Sequence, residues 1–143
     1  MKITYLLISL MILISCNSGK SQNQNDKMID QKELANPKVQ KYQFLDCMYK
    51  DSYFPEFLVD KCKSILLHLC KSIEVEEPKS LDELYLLTHK ATEELNKLQD
   101  EFFQNNSEIE TGARECLGAN FEFISNAYGF NADIEELIAP RDW

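Results

Sequence analysis

The chain has 143 residues, and its 24 acids outnumber 15 Lys and Arg, giving a net charge of −9. That length holds one domain and a linker rather than two cores, because domains typically run to roughly 100–200 residues. The acidic balance argues against nucleic acid as a partner, since like charges would repel it.

Met1-Lys2 makes a short positive start, and Ile3 to Ile14 is an apolar run without a charge. The run stops at Ser15-Cys16 and the polar Asn17-Ser18-Gly19-Lys20. A bilayer-spanning helix needs about 20 apolar residues, so residues 1–15 read as a cleavable signal peptide. Leu13-Ile14-Ser15-Cys16 resembles the lipobox of bacterial lipoproteins, with a large aliphatic residue three positions before the cysteine and a small one just before it. The resemblance implies that Cys16 becomes a lipidated N-terminus bearing diacylglyceryl and N-acyl chains, palmitate among them. Several acyl chains together anchor a protein stably, where one would not. By the enterobacterial sorting rule, Asn rather than Asp at position 17 implies the outer membrane, with the domain periplasmic or surface-facing.

Residues 17–37 are rich in Asn, Gln, Ser and Lys and poor in large apolar side chains. Such a stretch cannot offset its ordering entropy by burial, and it reads as a flexible tether spanning roughly 25 Å. The domain then covers residues 38–143.

Helical periodicity starts at Lys38. A first helix is expected over 38–50, with Tyr42, Leu45 and Met48 or Tyr49 inward, ending in the turn before Pro55. A second runs over 55–74, with Pro55 in its first turn and Leu58, Cys62, Ile65, Leu66, Leu69 and Ile73 on one face. Pro78 then stops it. Ser80-Leu81-Asp82-Glu83 has capping-box spacing and opens a third helix. Its stripe, Leu84, Leu87, Ala91, Leu95, Leu98 and Phe102, keeps step to an end near Gln104-Asn105-Asn106. Ser107-Glu108-Ile109-Glu110 repeats the capping spacing and is expected to open a fourth helix, with Ile109, Ala113, Cys116, Leu117, Phe121, Ile124 and Ala127 inward and Gly129 at its C-terminal cap. A short last helix over 132–138 meets Pro140. No segment alternates long enough for a strand, so the fold class is all-α, a compact bundle of four main helices plus a short C-terminal one.

Beyond Cys16 the cysteines are Cys47, Cys62, Cys70 and Cys116, an even number in a chain expected in an oxidising compartment. On one helix, Cys62 and Cys70 would lie roughly 12 Å apart, too far for a disulfide. If all four pair, Cys47 joins either Cys62 or Cys70. The other reading makes Cys70 and Cys116 small buried hydrophobes.

The chemistry-bearing clusters are sparse. His89 and Glu93 stand at i, i+4 on the third helix, but a tight metal site needs three or four ligands, so they read as a surface pair and no metal is expected. His68 falls off the apolar stripe and should be solvated. Gly19, Gly112, Gly118 and Gly129 form no phosphate cradle or nucleophile elbow, so no nucleotide cofactor is expected. Glu110 and Arg114 are spaced for a helix-surface ion pair, and Arg114 with Glu115 is the most suggestive remaining cluster. From Leu98 onward, ten acids face only Arg114 and Arg141. This last third is the acidic face, suited to solubility or to a basic protein partner.

From Tyr53 onward the chain resembles a family of small bacterial proteins grouped only as a domain of unknown function. The resemblance rests on Tyr53-Phe54-Pro55, Phe57-Leu58-Val59-Asp60-Lys61, Leu87-Thr88-His89 with Ala91-Thr92-Glu93, Ser107 to Thr111, Ala113-Arg114-Glu115, and the end from Ala132 to Trp143. It implies a helical fold and no activity. Family members usually lack cysteine at the positions of Cys47 and Cys62, which makes a Cys47–Cys62 bridge worth testing here, and they often lack the leader. Two functions fit. One is a membrane-anchored, non-enzymatic module that binds a basic protein in the envelope, by analogy with small acidic helical immunity proteins. The other is a small hydrolase or ligand-binding protein using Glu110, Arg114, Glu115 and His89 gathered in one cleft, with Glu93 a further candidate binding residue.

Overall fold

A computed structural model describes residues 28–143. The expected signal peptide, Cys16 and the part of the expected tether up to residue 27 lie outside the described residues. Within them the chain is all-helical: α1 (Pro37–Lys41), α2 (Asp46–Tyr49), α3 (Glu56–Glu76), α4 (Leu81–Asn96), α5 (Gln99–Gln104), α6 (Thr111–Ala127) and α7 (Ile134–Leu137). The four main helical segments are the α1–α2 pair, α3, α4 continued by α5, and α6, with α7 as the short last helix.

The apolar stripes face the core as their spacing requires. Leu58, Cys62, Leu66, Leu69 and Ile73 of α3 are buried against Leu84, Leu87, Ala91 and Leu95 of α4, and Ala113, Leu117, Phe121 and Ile124 of α6 join the same core. At the end of α3 the backbone turns left-handed at Glu77, φ 47°, whose N–H still reaches Ile73 O, and Pro78 follows. Gly118 lets α7 approach α6 closely: a Cβ there would sit 3.1 Å from Ile134 Cγ2.

The first expected helix is broken in two. Phe44 and Leu45 are both buried, and Leu45 adopts a left-handed backbone, φ 56°. Its N–H donates to Asn120 Oδ1 at 3.1 Å, and Asn120 Nδ2 donates to Cys116 O at 2.7 Å. Tyr42 stacks on Phe123 with ring centroids 3.5 Å apart, and Phe44 meets Tyr42 edge-on. A straight helix over 38–50 could not bring all these groups onto α6.

The expected tether also ends earlier than composition implies. Residues 31–33 form a 3-10 turn, and Leu34 is buried in the core. Gln31 Nε2 donates to Val39 O and Tyr42 O, and Gln40 Nε2 donates to Leu34 O. Side-chain amides that look solvated in sequence thus satisfy buried backbone carbonyls.

The two capping boxes differ. Ser80 Oγ accepts the Glu83 N–H at 3.2 Å as expected, although the Glu83 carboxylate reaches the Lys79 N–H. Ser107 opens no helix. Its N–H donates to Phe102 O and that of Asn106 to Phe103 O, with Asn106 left-handed at φ 55°, so the pair closes α5 in a Schellman turn. The fourth helix therefore starts later, capped by Glu110 without a side-chain bond. The Ser107 hydroxyl is left buried and unpartnered. Gly129, φ 89°, closes α6 in the same motif, through Phe130 N–H to Ser125 O and Gly129 N–H to Asn126 O.

Ser80→Ala is expected to cost about 0.5–2 kcal/mol by loss of the cap. Ser107→Ala should leave the denaturant midpoint unchanged or raise it, because it removes an unsatisfied buried hydroxyl. Equal losses at both positions in urea unfolding would contradict this assignment of helix starts.

Candidate functional site

Five charged or titratable side chains were candidates from sequence, and the structure does not bring them into one cleft. Glu110 caps α6, while Arg114 and Glu115 lie exposed in its first two turns. Arg114 donates its backbone N–H to Glu110 O, but no ion pair forms between their side chains within 4 Å. His89 sits on α4, where Nε2 donates to Glu136 O at 2.7 Å and the ring stacks on Tyr85. The contact ties α7 to α4. Glu93, one turn further, is exposed. Among the described residues, no group of three His, Cys, Asp or Glu side chains is placed to hold a metal ion.

His89 belongs to a strap along α4. Asn96 Nδ2 donates to Pro140 O at 2.9 Å, Gln99 Nε2 donates to the Asp142 carboxylate, and Arg141 pairs with Glu135. His89 and Asn96 of α4 and Gln99 of α5 hold the C-terminal segment down, and the Arg141–Glu135 pair braces it internally.

The disulfide corrects both pairings expected from sequence. Cys47 bonds to Cys116, not to Cys62 or Cys70, with Cα atoms 6.1 Å apart. The exclusion of a Cys62–Cys70 bond on one helix stands; of the two cysteines read as small buried hydrophobes, Cys70 is one, whereas Cys116 is bridged. Cys62 and Cys70 are free and buried, and burial pushes each thiol up to about 12. Both are small core hydrophobes, inert as nucleophiles. Cys47 lies on the exposed side of the bridge.

The cluster that sequence reasoning missed centres on Glu74. Its carboxylate accepts the Ala35 N–H at 2.9 Å, the Asn36 N–H at 3.1 Å and the Tyr128 hydroxyl at 2.8 Å. Asn36 Nδ2 donates to Ala127 O. Burial alone would raise the Glu74 pKa, but these hydrogen bonds and nearby Lys71 outweigh it and hold the carboxyl below its ordinary value. Burial, then the bond to Glu74, raises the Tyr128 phenol. Glu74 clamps the N-terminal segment to α3 and α6.

Two grooves flank α3. The larger, about 880 Å³, is bordered by Ile29, Gln31, Lys32, Asp60, Lys63 and Leu67. The smaller, about 280 Å³, runs between α3 and α4 past Ser64, His68, Ser72, Leu87 and Lys90. His68, expected to be solvated, is half-buried there with Nε2 shielded and unpartnered. Neither groove holds Glu110, Arg114, Glu115 or His89.

Residues 38–143 match a family model described as "Family of unknown function (DUF5713)". The chain belongs to this family. No curated protein matches it, and no solved structure does either. The likeness noted from Tyr53 onward thus extends back to Lys38. The DUF5713 span leaves out the 3-10 turn, Leu34 and the two backbone amides that Glu74 holds, although all of them pack on the family domain here.

Because the folded pKa of Glu74 is depressed, its stabilisation is present above the ordinary value of 4.5 and is lost as pH falls through the folded value. Hydrogen exchange at the Ala35 and Asn36 amides, corrected for intrinsic rates, should therefore quicken in acid below that value. In Glu74→Gln it should be fast and independent of this titration; protection as strong as wild type at neutral pH would refute the clamp.

Proposed function

We propose that the chain is a lipid-anchored module of the bacterial cell envelope whose acidic helical domain binds a basic protein partner without catalysing a reaction. The carrying observation is the state of the acids after Leu98. Among the described residues only Glu101 and Glu135 have a cation within 4 Å, paired with Lys61 and Arg141. Glu108, Glu110, Glu115, Glu122 and Glu136 are exposed and unpaired. Such a surface steers a cationic partner and repels nucleic acid.

The anchor rests on the lipobox at Cys16, and Asn17 favours the outer membrane. No helix among the described residues is long and apolar enough to cross a membrane. The Cys47–Cys116 bond fits an oxidising compartment, where disulfides form and persist.

Cys16→Ser should abolish fatty-acid labelling and release the protein from the membrane fraction. Labelling equal to wild type would end the lipoprotein reading.

Replacing Glu115, Glu122 and Glu136 with Gln should slow association with a partner captured from envelope extracts by about tenfold at low salt, with little change in unfolding midpoint. The difference should shrink as salt rises, because charges screen over roughly 8 Å at physiological ionic strength. Wild-type association rates at low salt would overturn the acidic face as the binding surface.

A further inference from the structure

The acidic surface carries an apolar element at one end of the bundle. The helices α4 and α5 run antiparallel to α3, and the Lys61–Glu101 ion pair joins the second turn of α3 to α5. The start of α3, the end of α5 and the start of α6 therefore share one pole. Three large apolar side chains stand exposed there: Tyr53 at 40%, Phe57 at 51% and Phe103 at 72%. Burial was available to them, since their neighbours Phe54, Leu58 and Phe102 are all in the core. The Tyr53 phenol lies within the field of Glu110, Glu108 and Asp51. Asp51, Glu56, Glu108 and Glu110 have no cation within 4 Å among the described residues, whereas Lys50 and Lys61 are engaged by Asp46 and Glu101. Arg114 alone opposes them from α6.

We propose that this pole is the docking surface for a partner segment that carries Arg or Lys interleaved with large apolar side chains. The proposal rests on the binding reading above and specifies its site and the chemistry recognised. Two features select that occupant. Aromatic faces hold apolar side chains and also attract guanidinium and ammonium groups, while the surrounding carboxylates complement the same cations. A purely apolar partner would leave the carboxylates uncompensated. A purely cationic one would leave most of the rings' apolar area in water, and exposed aromatic side chains are the residue class that anchors interfaces.

Two synthetic peptides of equal length and charge separate the terms, one of Lys with Gly and Ser, the other of Lys and Arg with Leu and Trp. Titrated into the purified full chain, the second should bind at least tenfold tighter. Tyr53→Ser, Phe57→Ser and Phe103→Ser together should abolish that preference, lowering affinity for the Lys–Gly–Ser peptide far less than for the other. Leu86→Ser, at an exposed α4 side chain toward the other end of the bundle, should change neither. Circular dichroism checks that the variants fold, which the exposure of all four sites favours. If the preference is absent, or survives the triple substitution, the pole is not the docking surface although the acidic reading stands. If neither peptide binds at low salt, both readings fall.

Discussion

The architecture hangs on one buried amide. Asn120 accepts the Leu45 N–H and donates to Cys116 O, and so ties the corner between α1 and α2 to the inward face of α6. A leucine in the left-handed region costs about 1–3 kcal/mol, and a buried N–H without a partner about as much again. Complete burial of Leu45 and the bond to Asn120 offset those costs. One turn away, the Cys47–Cys116 bridge closes a loop across 69 residues, worth about 4 kcal/mol by loop-closure entropy. The hydrogen bond and the covalent bond hold the same corner, the first by geometry and the second by restricting the unfolded chain.

Both ends of the described chain are then fastened by side chains reaching to backbone. Glu74, Gln31 and Gln40 hold the N-terminal segment, while His89 and Asn96 hold the C-terminal one. Titratable residues that could have served chemistry are spent on these fastenings. His89 positions α7, Glu74 clamps a loop, and Cys62 and Cys70 fill the core. Left without such a fastening are His68 in the groove between α3 and α4, the unpaired carboxylates outside and, at one pole, three aromatic side chains.

The way the bundle is built explains why its exposed groups gather where they do. The long helices α3, α4 and α6 bury one stripe each and turn their charged sides out, which distributes acids along the surface. The pole differs because two connections, from α2 to α3 and from α5 to α6, meet there. At the Asp51–Pro55 turn and on the last turn of α5, adjacent aromatic residues split between core and solvent: Phe54 goes in while Tyr53 stays out, and Phe102 goes in while Phe103 stays out.

The sequence by itself determined the class of fold, the long apolar stripes, the Ser80 cap, the Gly129 stop and the likeness to a family without assigned activity. All of these depend on residues three or four apart, or on a motif read along the chain, and such relations survive without knowledge of the packing. The tertiary structure decided the rest. Leu45 and Asn120 are 75 residues apart, Ala35 and Glu74 are 39 apart, and Cys47 and Cys116 are 69 apart. Asn120 did leave a trace, as a polar residue one turn from Cys116 on an otherwise apolar face. Its partner could not be read, because which backbone amide lacks a bond depends on where a helix breaks. The cysteines misled for the same reason: an even count speaks of compartment, while pairing depends on which side chains the packed helices bring within bonding distance. Ser107 shows the limit at its smallest scale. Its spacing to Glu110 is that of a cap, yet its amide was already taken by the helix before it.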